Sequence, residues 1–305
     1  MPLTLSQEYS LAPLKLNAAV LPVLSVSPSP GTILDPFGHS GNEFATHQRI
    51  AGAEPALDVT MLFQDAFALI GWKSLKLTTL EVYAAKYVDS IRSASSVHHR
   101  KALAVDAIGY ATIQSVSCGG PRALAIAEVR IVLLSSDGQT HPLVDADNAA
   151  IPAVTTGPTL QTLAPFSYNG TDYSGLQSLQ IDTGNRMEVT THGGMRYPTL
   201  ATYLGGQWEA RASLGDPALL ATLFSELGSS LAGNFDFYLR NFDANDLGTV
   251  TGTRMRIARG AAIPEQIPLS HLELSRPGFR VSALANPSTP GTHPVVVATG
   301  QTVPT

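Results

Sequence analysis

The chain has 305 residues, 44% of them hydrophobic and only 14% charged, with a formal net charge of −5 at pH 7. That length suits two domains of about 150 residues, and the charged share is roughly half the average of about 25%. The acidic balance, with no basic cluster longer than His98-His99-Arg100-Lys101, excludes tight sequence-reading contact with nucleic acid.

Along the chain, Met1 to Glu8 lacks the basic and apolar regions of a signal peptide, and no stretch reaches the roughly 18 apolar residues of a membrane span, so a soluble, unprocessed protein is expected. Cys118 is the single cysteine, which rules out an internal disulfide and suits a reducing cytoplasm. Residues 1–38 alternate apolar stretches with Pro and Ser, predicting an entering strand and an extended arm able to pair with a neighbouring chain. Ala56 to Met61 has strand periodicity, and residues 62–70 have helical spacing with Gly71 as the stop. Strands are predicted over residues 75–87, 101–113 and 123–134. Residues 145–180 are rich in Pro and Gly and read as the junction between domains. Within them Asn169-Gly170-Thr171 matches a glycosylation sequon but is read as a polar turn.

Beyond the junction a strand is predicted over 208–214, then a helix over 217–227. Asp216 is its N-cap, Pro217 its first residue, Leu220, Phe224 and Leu227 its apolar face, and Gly228 its left-handed terminator. Strands follow over 234–242, 254–258, 280–284 and 294–298.

Two marks recur at nearly constant offset. His39-Ser-Gly-Asn-Glu-Phe44-Ala-Thr46 returns as His192-Gly-Gly-Met-Arg-Tyr197-Pro-Thr199, and Thr140-His141-Pro142-Leu143-Val144 returns as Thr292-His293-Pro294-Val295-Val296. With the order strand, helix, aromatic strand (82–87, 237–242), Arg-centred strand (129–131, 279–281), they predict one fold used twice. The expected fold class is mainly β, a β-rich α+β protein of two tandem β-sandwich or barrel copies, each with one short flanking helix. The domains are 1–150 (first copy with its arm), 151–180 (junction) and 181–305 (second copy), with 35–145 superposing on 187–300.

No reaction chemistry accompanies the repeat. The histidines at 39, 47, 98, 99, 141, 192, 271 and 293 show no helical ligand spacing and read as loop and backbone-bonded residues. Cys118 lies in no nucleophile elbow and reads as a turn residue. Asp145/Asp147 and Asp243/Asp246 read as solvated turn acids whose spacing fits no Ca²⁺ loop. Gly119-Gly120, Gly193-Gly194 and Gly205-Gly206 read as turns, because none opens a phosphate-binding helix. Trp72 and Trp208, each near a helix, read as packing within the core or between domains. No catalytic, cofactor-binding or metal residue is therefore assigned, no cofactor is expected, and the protein is expected not to be an enzyme.

The duplicated succession of strand, capped helix, aromatic strand and paired long strands, with the His192 to Thr199 segment, the strand to Leu214 and the helix from Pro217, resembles the tail-tube fold of tailed bacteriophages and contractile injection machines. The resemblance implies a structural virion protein, in a tail tube, tail tip or baseplate, assembled in the host bacterial cytoplasm. It further implies self-association into a ring, a pseudo-sixfold trimer or a hexamer, contact with other tail proteins, and DNA passing through the lumen without specific binding. The alternative is a tandem β-sandwich binding module, an adhesin or carbohydrate-binding protein. A hydrolase on a β scaffold would need a nucleophile and base that the sequence does not assemble.

Overall fold

The computed structural model describes residues 7–29, 31–37, 47–88, 91–92, 98–120, 122–154, 159–224, 231–241, 251–265, 277–289 and 292–304. The fold is mainly β. The N-terminal half contains β1 (Gln7–Leu16), β2 (Ala19–Leu21), β3 (Ser25–Ser29), β4 (Thr32–Phe37), β5 (His47–Ala53), β6 (Ala56–Leu62), α1 (Phe63–Ile70), β7 (Leu75–Leu77), β8 (Leu80–Val88), β9 (Ile91–Arg92), β10 (His98–Leu103), β11 (Ile108–Cys118), β12 (Ile126–Leu134) and β13 (Leu143–Ala149). The C-terminal half contains β14 (Gln161–Tyr168), β15 (Thr171–Tyr173), β16 (Leu176–Asp182), β17 (Arg186–Thr190), β18 (Leu200–Gly205), β19 (Glu209–Leu214), α2 (Pro217–Leu223), β20 (Leu231–Asn241), β21 (Thr251–Pro264), β22 (Gly278–Ala283) and β23 (Val295–Thr302).

Alternation drives these strands. In β19 the buried positions are Ala210, Ala212 and Leu214, while Arg211 between them is exposed. One contiguous core takes Leu14 and Leu16 from β1, Leu57 and Val59 from β6, Ile113 from β11, Ile181 from β16, Phe237 from β20 and Val281 from β22. β1, β2, β8, β9, β10 and β13 form a six-stranded sheet, and a thirteen-stranded sheet runs β15, β14, β20, β21, β22, β19, β16, β11, β12, β6, β3, with β23 on β21 and β7 on β11.

The pairings of the two halves can be set side by side. In the first, β1 pairs β2 and β8, β3 pairs β6, β4 pairs β5, β6 pairs β12, β12 pairs β11, and β10 joins β8 to β13. In the second, β14 pairs β15 and β20, β16 pairs β19, β17 pairs β18, β19 pairs β22, β22 pairs β21, and β21 joins β20 to β23. Where the first half has β7 then β8, and β10 then β11, the second has the unbroken strands β20 and β21. The breaks leave a mark even there, since the β20–β21 register shifts between Gly233 and Phe235. The first half thus divides its long strands between the six-stranded and the thirteen-stranded sheet, whereas the second gives none to the six-stranded one; β4–β5 and β17–β18 form separate two-stranded sheets.

Local details follow the same scheme. The β1–β8 register shifts between Leu11 and Leu14, where Ala12-Pro13 sits, and the β14–β20 register shifts between Leu163 and Phe166, where Ala164-Pro165 sits. A bulge tolerates the proline because no ladder donor is needed there. After β1, Asn17 donates its N–H to Thr79 O (2.8 Å) and accepts at Oδ1 from Thr78 N (2.9 Å). After β14, Asn169 donates to Asn234 O (3.0 Å) and accepts at Oδ1 from Asn234 N (2.9 Å). The polar turn expected at the sequon is a two-residue hairpin turn between β14 and β15, made by Asn169 (φ 48°) and Gly170 (φ 86°).

Four sequence expectations are corrected. Neither 75–87 nor 101–113 is one strand: the first breaks after Leu77 into β7 and β8, which lie in different sheets, and in the second the chain turns after Leu103 through Asp106 (φ 59°) and resumes as β11 in the other sheet. Residues 161–180, within the span read as junction, are strands built into the sheet. The second helix ends at Leu223 with extended Phe224 as C-cap, ahead of Leu227 and Gly228, which lie outside the described residues. Phe224 is drawn into the core beside Phe279 (ring centroids 6.2 Å), and that packing stops the helix. The predicted start holds: Asp216 Oδ1 accepts from Ala218 N at 2.8 Å and Pro217 follows.

Gly71 closes α1 with φ 67° and ψ −160°, its N–H donating to Phe67 O at 2.9 Å. A Cβ there would meet no atom within 4 Å, so only backbone strain opposes substitution. Gly71→Val is expected to lower stability by about 1–3 kcal/mol, measured by denaturant unfolding; an unchanged midpoint would show that the backbone relaxes freely.

Candidate functional site

The richest constellation lies where the halves meet. β11 and β16 pair from Ser115↔Asp182 to Cys118↔Leu179. Gly71 turns the chain out of α1 so that Trp72 packs against Phe67 (ring centroids 4.8 Å), against Trp208 of the second half (4.5 Å, edge-on) and over His293 (5.9 Å, stacked). Trp208 meets His293 edge-on at 4.5 Å. Both tryptophans are buried, as the sequence reading of interface packing requires.

A polar clasp flanks the rings. Thr183 Oγ1 donates to Ile113 O at 2.7 Å, and Asn185 Nδ2 reaches Ile113 O (3.0 Å) and Trp72 O (3.2 Å) while its Oδ1 accepts from Tyr203 OH (2.7 Å). Asn185 is buried, and pairing its amide removes a desolvation cost of about 1–3 kcal/mol per orphaned group. The repeated segment 192–199 makes a second clasp. Arg196 N and Tyr197 N donate to Gly138 O (2.7 and 2.9 Å), Ser135 N donates to Pro198 O (2.9 Å), and Tyr197 meets His141 edge-on at 5.3 Å.

The two repeated histidines hold their loops alike. Nδ1 of His141 lies 2.9 Å from Leu143 O and 3.1 Å from Leu143 N, and Nδ1 of His293 lies 2.8 Å from Val295 O and 3.1 Å from Val295 N. Burial depresses the His293 pKa, the Val295 carbonyl partly offsets this, and Lys73 depresses it further.

The remaining candidates do not converge. Cys118 ends β11, buried, its thiol donating to Ala123 O at 3.2 Å and pushed up in pKa by burial, with partial relief from backbone hydrogen bonding at Gly120 and Leu163. It is a buried residue at the end of a strand, where the sequence reading has a turn residue. Asp145 pairs with Lys101 (2.7 Å) and Asp147 with His99 (2.8 Å) at the exposed β10–β13 edge. Burial raises Tyr83 to about 12, together with its hydrogen bond to Glu81. Burial also acts to raise Glu81, but hydrogen bonds from Tyr83 and Lys15 outweigh it and leave that carboxyl low. Neither group is poised for proton transfer near neutrality. His39, His271, Asp243 and Asp246 lie outside the described residues. Among the described residues no three His, Cys, Asp or Glu side chains group as metal ligands. No helix among them is long and apolar enough to cross a membrane.

No protein-family model matches the chain, and no curated protein matches it by sequence. The site is therefore read from its own geometry, which is that of a joint.

Trp72 and Trp208 are the only tryptophans, so selectively excited tryptophan fluorescence reports on the joint. A depressed histidine pKa favours the neutral form in the folded state, so its contribution is complete above the ordinary value of about 6.5 and is lost as pH falls through the lowered one. Emission is expected to hold steady above about pH 6.5 and to change below it before global unfolding, and His293→Gln should flatten that change. A wild-type profile unaltered by the substitution would remove His293 from the account.

Proposed function

We propose that the chain is two tandem copies of one β domain joined edge to edge, and that it is a non-enzymatic structural protein of a bacteriophage tail. In this reading it forms a homo-oligomeric ring, as tail tube or as tail-tip or baseplate adaptor, around the channel through which DNA passes. The observation that carries the reading is the recurrence of strand pairings, of the Ala-Pro bulges at 12–13 and 164–165, and of the Asn17 and Asn169 clasps on either side of a tight internal joint. Two like units in one chain provide two like, non-identical surfaces, and a head-to-tail contact between such units closes into a ring when the rotation allows.

Further support comes from what the surface presents. A net charge of −5 with few charged side chains suits a protein that surrounds DNA without adsorbing it. The large hydrophobic side chains exposed among the described residues are aliphatic, such as Val105, Leu200 and Leu204. Aromatic platforms of the kind a carbohydrate-binding module presents to sugar rings are therefore not among them.

Electron microscopy of the concentrated protein is the test. Rings or stacked rings with a central channel wide enough for duplex DNA are expected, unaffected by EDTA. A monomer at every concentration, or one that loses its structure on chelation, would overturn the assignment.

A further inference from the structure

We infer that the internal joint is repeated between molecules: the outer face of the second half of one chain docks on the β3 side of the first half of another, as the first half docks on β16 within the chain. The inference rests on the ring reading above and identifies its contact surface. It is carried by paired positions that are covered at the internal joint and bare at the outer faces.

On the docking side, Leu133 N donates to Pro55 O (3.1 Å) and Ala283 N donates to Trp208 O (2.9 Å), which sets the end of β12 and the end of β22 in register with each other. The next residues are Leu134, 1% exposed beside the Ser135–Pro198 clasp, and Leu284, 48% exposed. Gly109 opposite Leu133 corresponds in the same way to Gly260 opposite Ala283. Three residues further, Thr112 is 1% exposed at the joint and Ile263 is 39% exposed. Two aliphatic side chains thus stand in water where their counterparts are covered.

The receiving side shows the complementary asymmetry. β16 is paired on both edges, to β19 and to β11, whereas β3, which holds the same place beside β6, pairs among the described residues with β6 alone. Register sets Ser25↔Thr60 beside Ser178↔Ser213, so that Pro28, exposed, stands where Ile181 is buried. His293 is covered by Trp72, while its counterpart His141, met edge-on by Tyr197, borders an open groove lined by Pro28, Ser29, Pro55 and Leu143 with the Lys101–Asp145 ion pair. A bare strand edge beside an open groove is a template for another chain. The first-half face of one molecule and the second-half face of the next are the matching pair that the chain itself already joins once. Pro28 withholds one edge donor, so the contact between molecules forms fewer backbone bonds than the internal one and is the more easily reversed.

Such a contact is heterologous, using different surfaces on the two partners, and mixing distinguishes it from a twofold one. Leu284→Arg removes the docking face, and a second variant, Ser27→Arg with Ser29→Arg, blocks the receiving edge. Native mass spectrometry should show each variant as a folded monomer and their equimolar mixture as one-to-one dimers and nothing larger, while the wild type assembles further. If both variants assemble like the wild type, or if the mixture stays monomeric while the wild type assembles, this surface is wrong and the ring reading stands. A wild type that stays monomeric overturns both. Circular dichroism confirms that each variant is folded, and loss of structure in one leaves the other variant as the test.

Discussion

Among the described residues, the four pairs from Ser115↔Asp182 to Cys118↔Leu179 are the one ladder that carries the large sheet from one half into the other, joined by a single bridge at Leu124↔Thr162, so the continuity of the sheet depends on them. Backbone bonds at about 1 kcal/mol each are too few to explain its strength. Burying one tryptophan removes roughly 150–250 Å² from water, worth about 4–6 kcal/mol at the usual coefficient. Trp72 and Trp208, packed on each other, add apolar burial to the ladder at the joint, the remainder of Trp72's burial lying against Phe63 and Phe67 of its own half. The ladder decides register, because a slip of one residue would turn Ile181 and Leu179 out of the core. Strength and specificity thus come from different parts of the same contact.

With few charges available, each half places an acid on one long strand and neutralises it from the next. Asp236 on β20, buried, takes a two-pronged contact from Arg256 on β21, Nε and Nη2 each at 2.7 Å. Glu81 on β8 is flanked by Lys15 at 3.2 Å and Arg100 at 3.4 Å. The two-pronged pair is the stronger, since a guanidinium fork matches a carboxylate in geometry as well as in charge. These ion pairs cross neighbouring strands and help fix strand alignment where the described residues supply two short helices as bracing.

What the sequence discloses is what local chemistry controls. Asp216-Pro217 announces a helix start, Asn169-Gly170 a hairpin turn, and Gly71 a helix stop, because each needs no partner further along the chain. What it conceals depends on distant partners. α2 ends where Phe224 turns extended into the core, a contact with residues far along the chain. The span 151–180 looks like a linker because Pro165, Gly170 and Gly175 are counted as breakers, yet Pro165 sits in a bulge and Gly170 and Gly175 between strands. The break between β10 and β11 rests on Asp106, a residue type that tolerates positive φ but does not require it. One signal was present and passed over: Leu-Ala-Pro occurs at 11–13 and again at 163–165, marking the two bulged strands. The joint itself could not be read, since nothing local tells Ser115 that Asp182 will lie opposite.

The order of synthesis gives the β11–β16 ladder a further meaning. When β13 has left the ribosome, the strand pairings described within the first half can already close, but the edge of β11 from Ser115 to Cys118 has no partner until β16 follows some thirty residues later. At about 5–20 residues per second that edge stays bare for several seconds. It is then the most adhesive part of the nascent chain, beside a Trp72 without its cover, and a neighbouring polysome can supply a wrong strand. The short spacing between the halves, with β14 to β16 following directly on β13, limits this interval, so an insertion there would cost yield long before it cost stability.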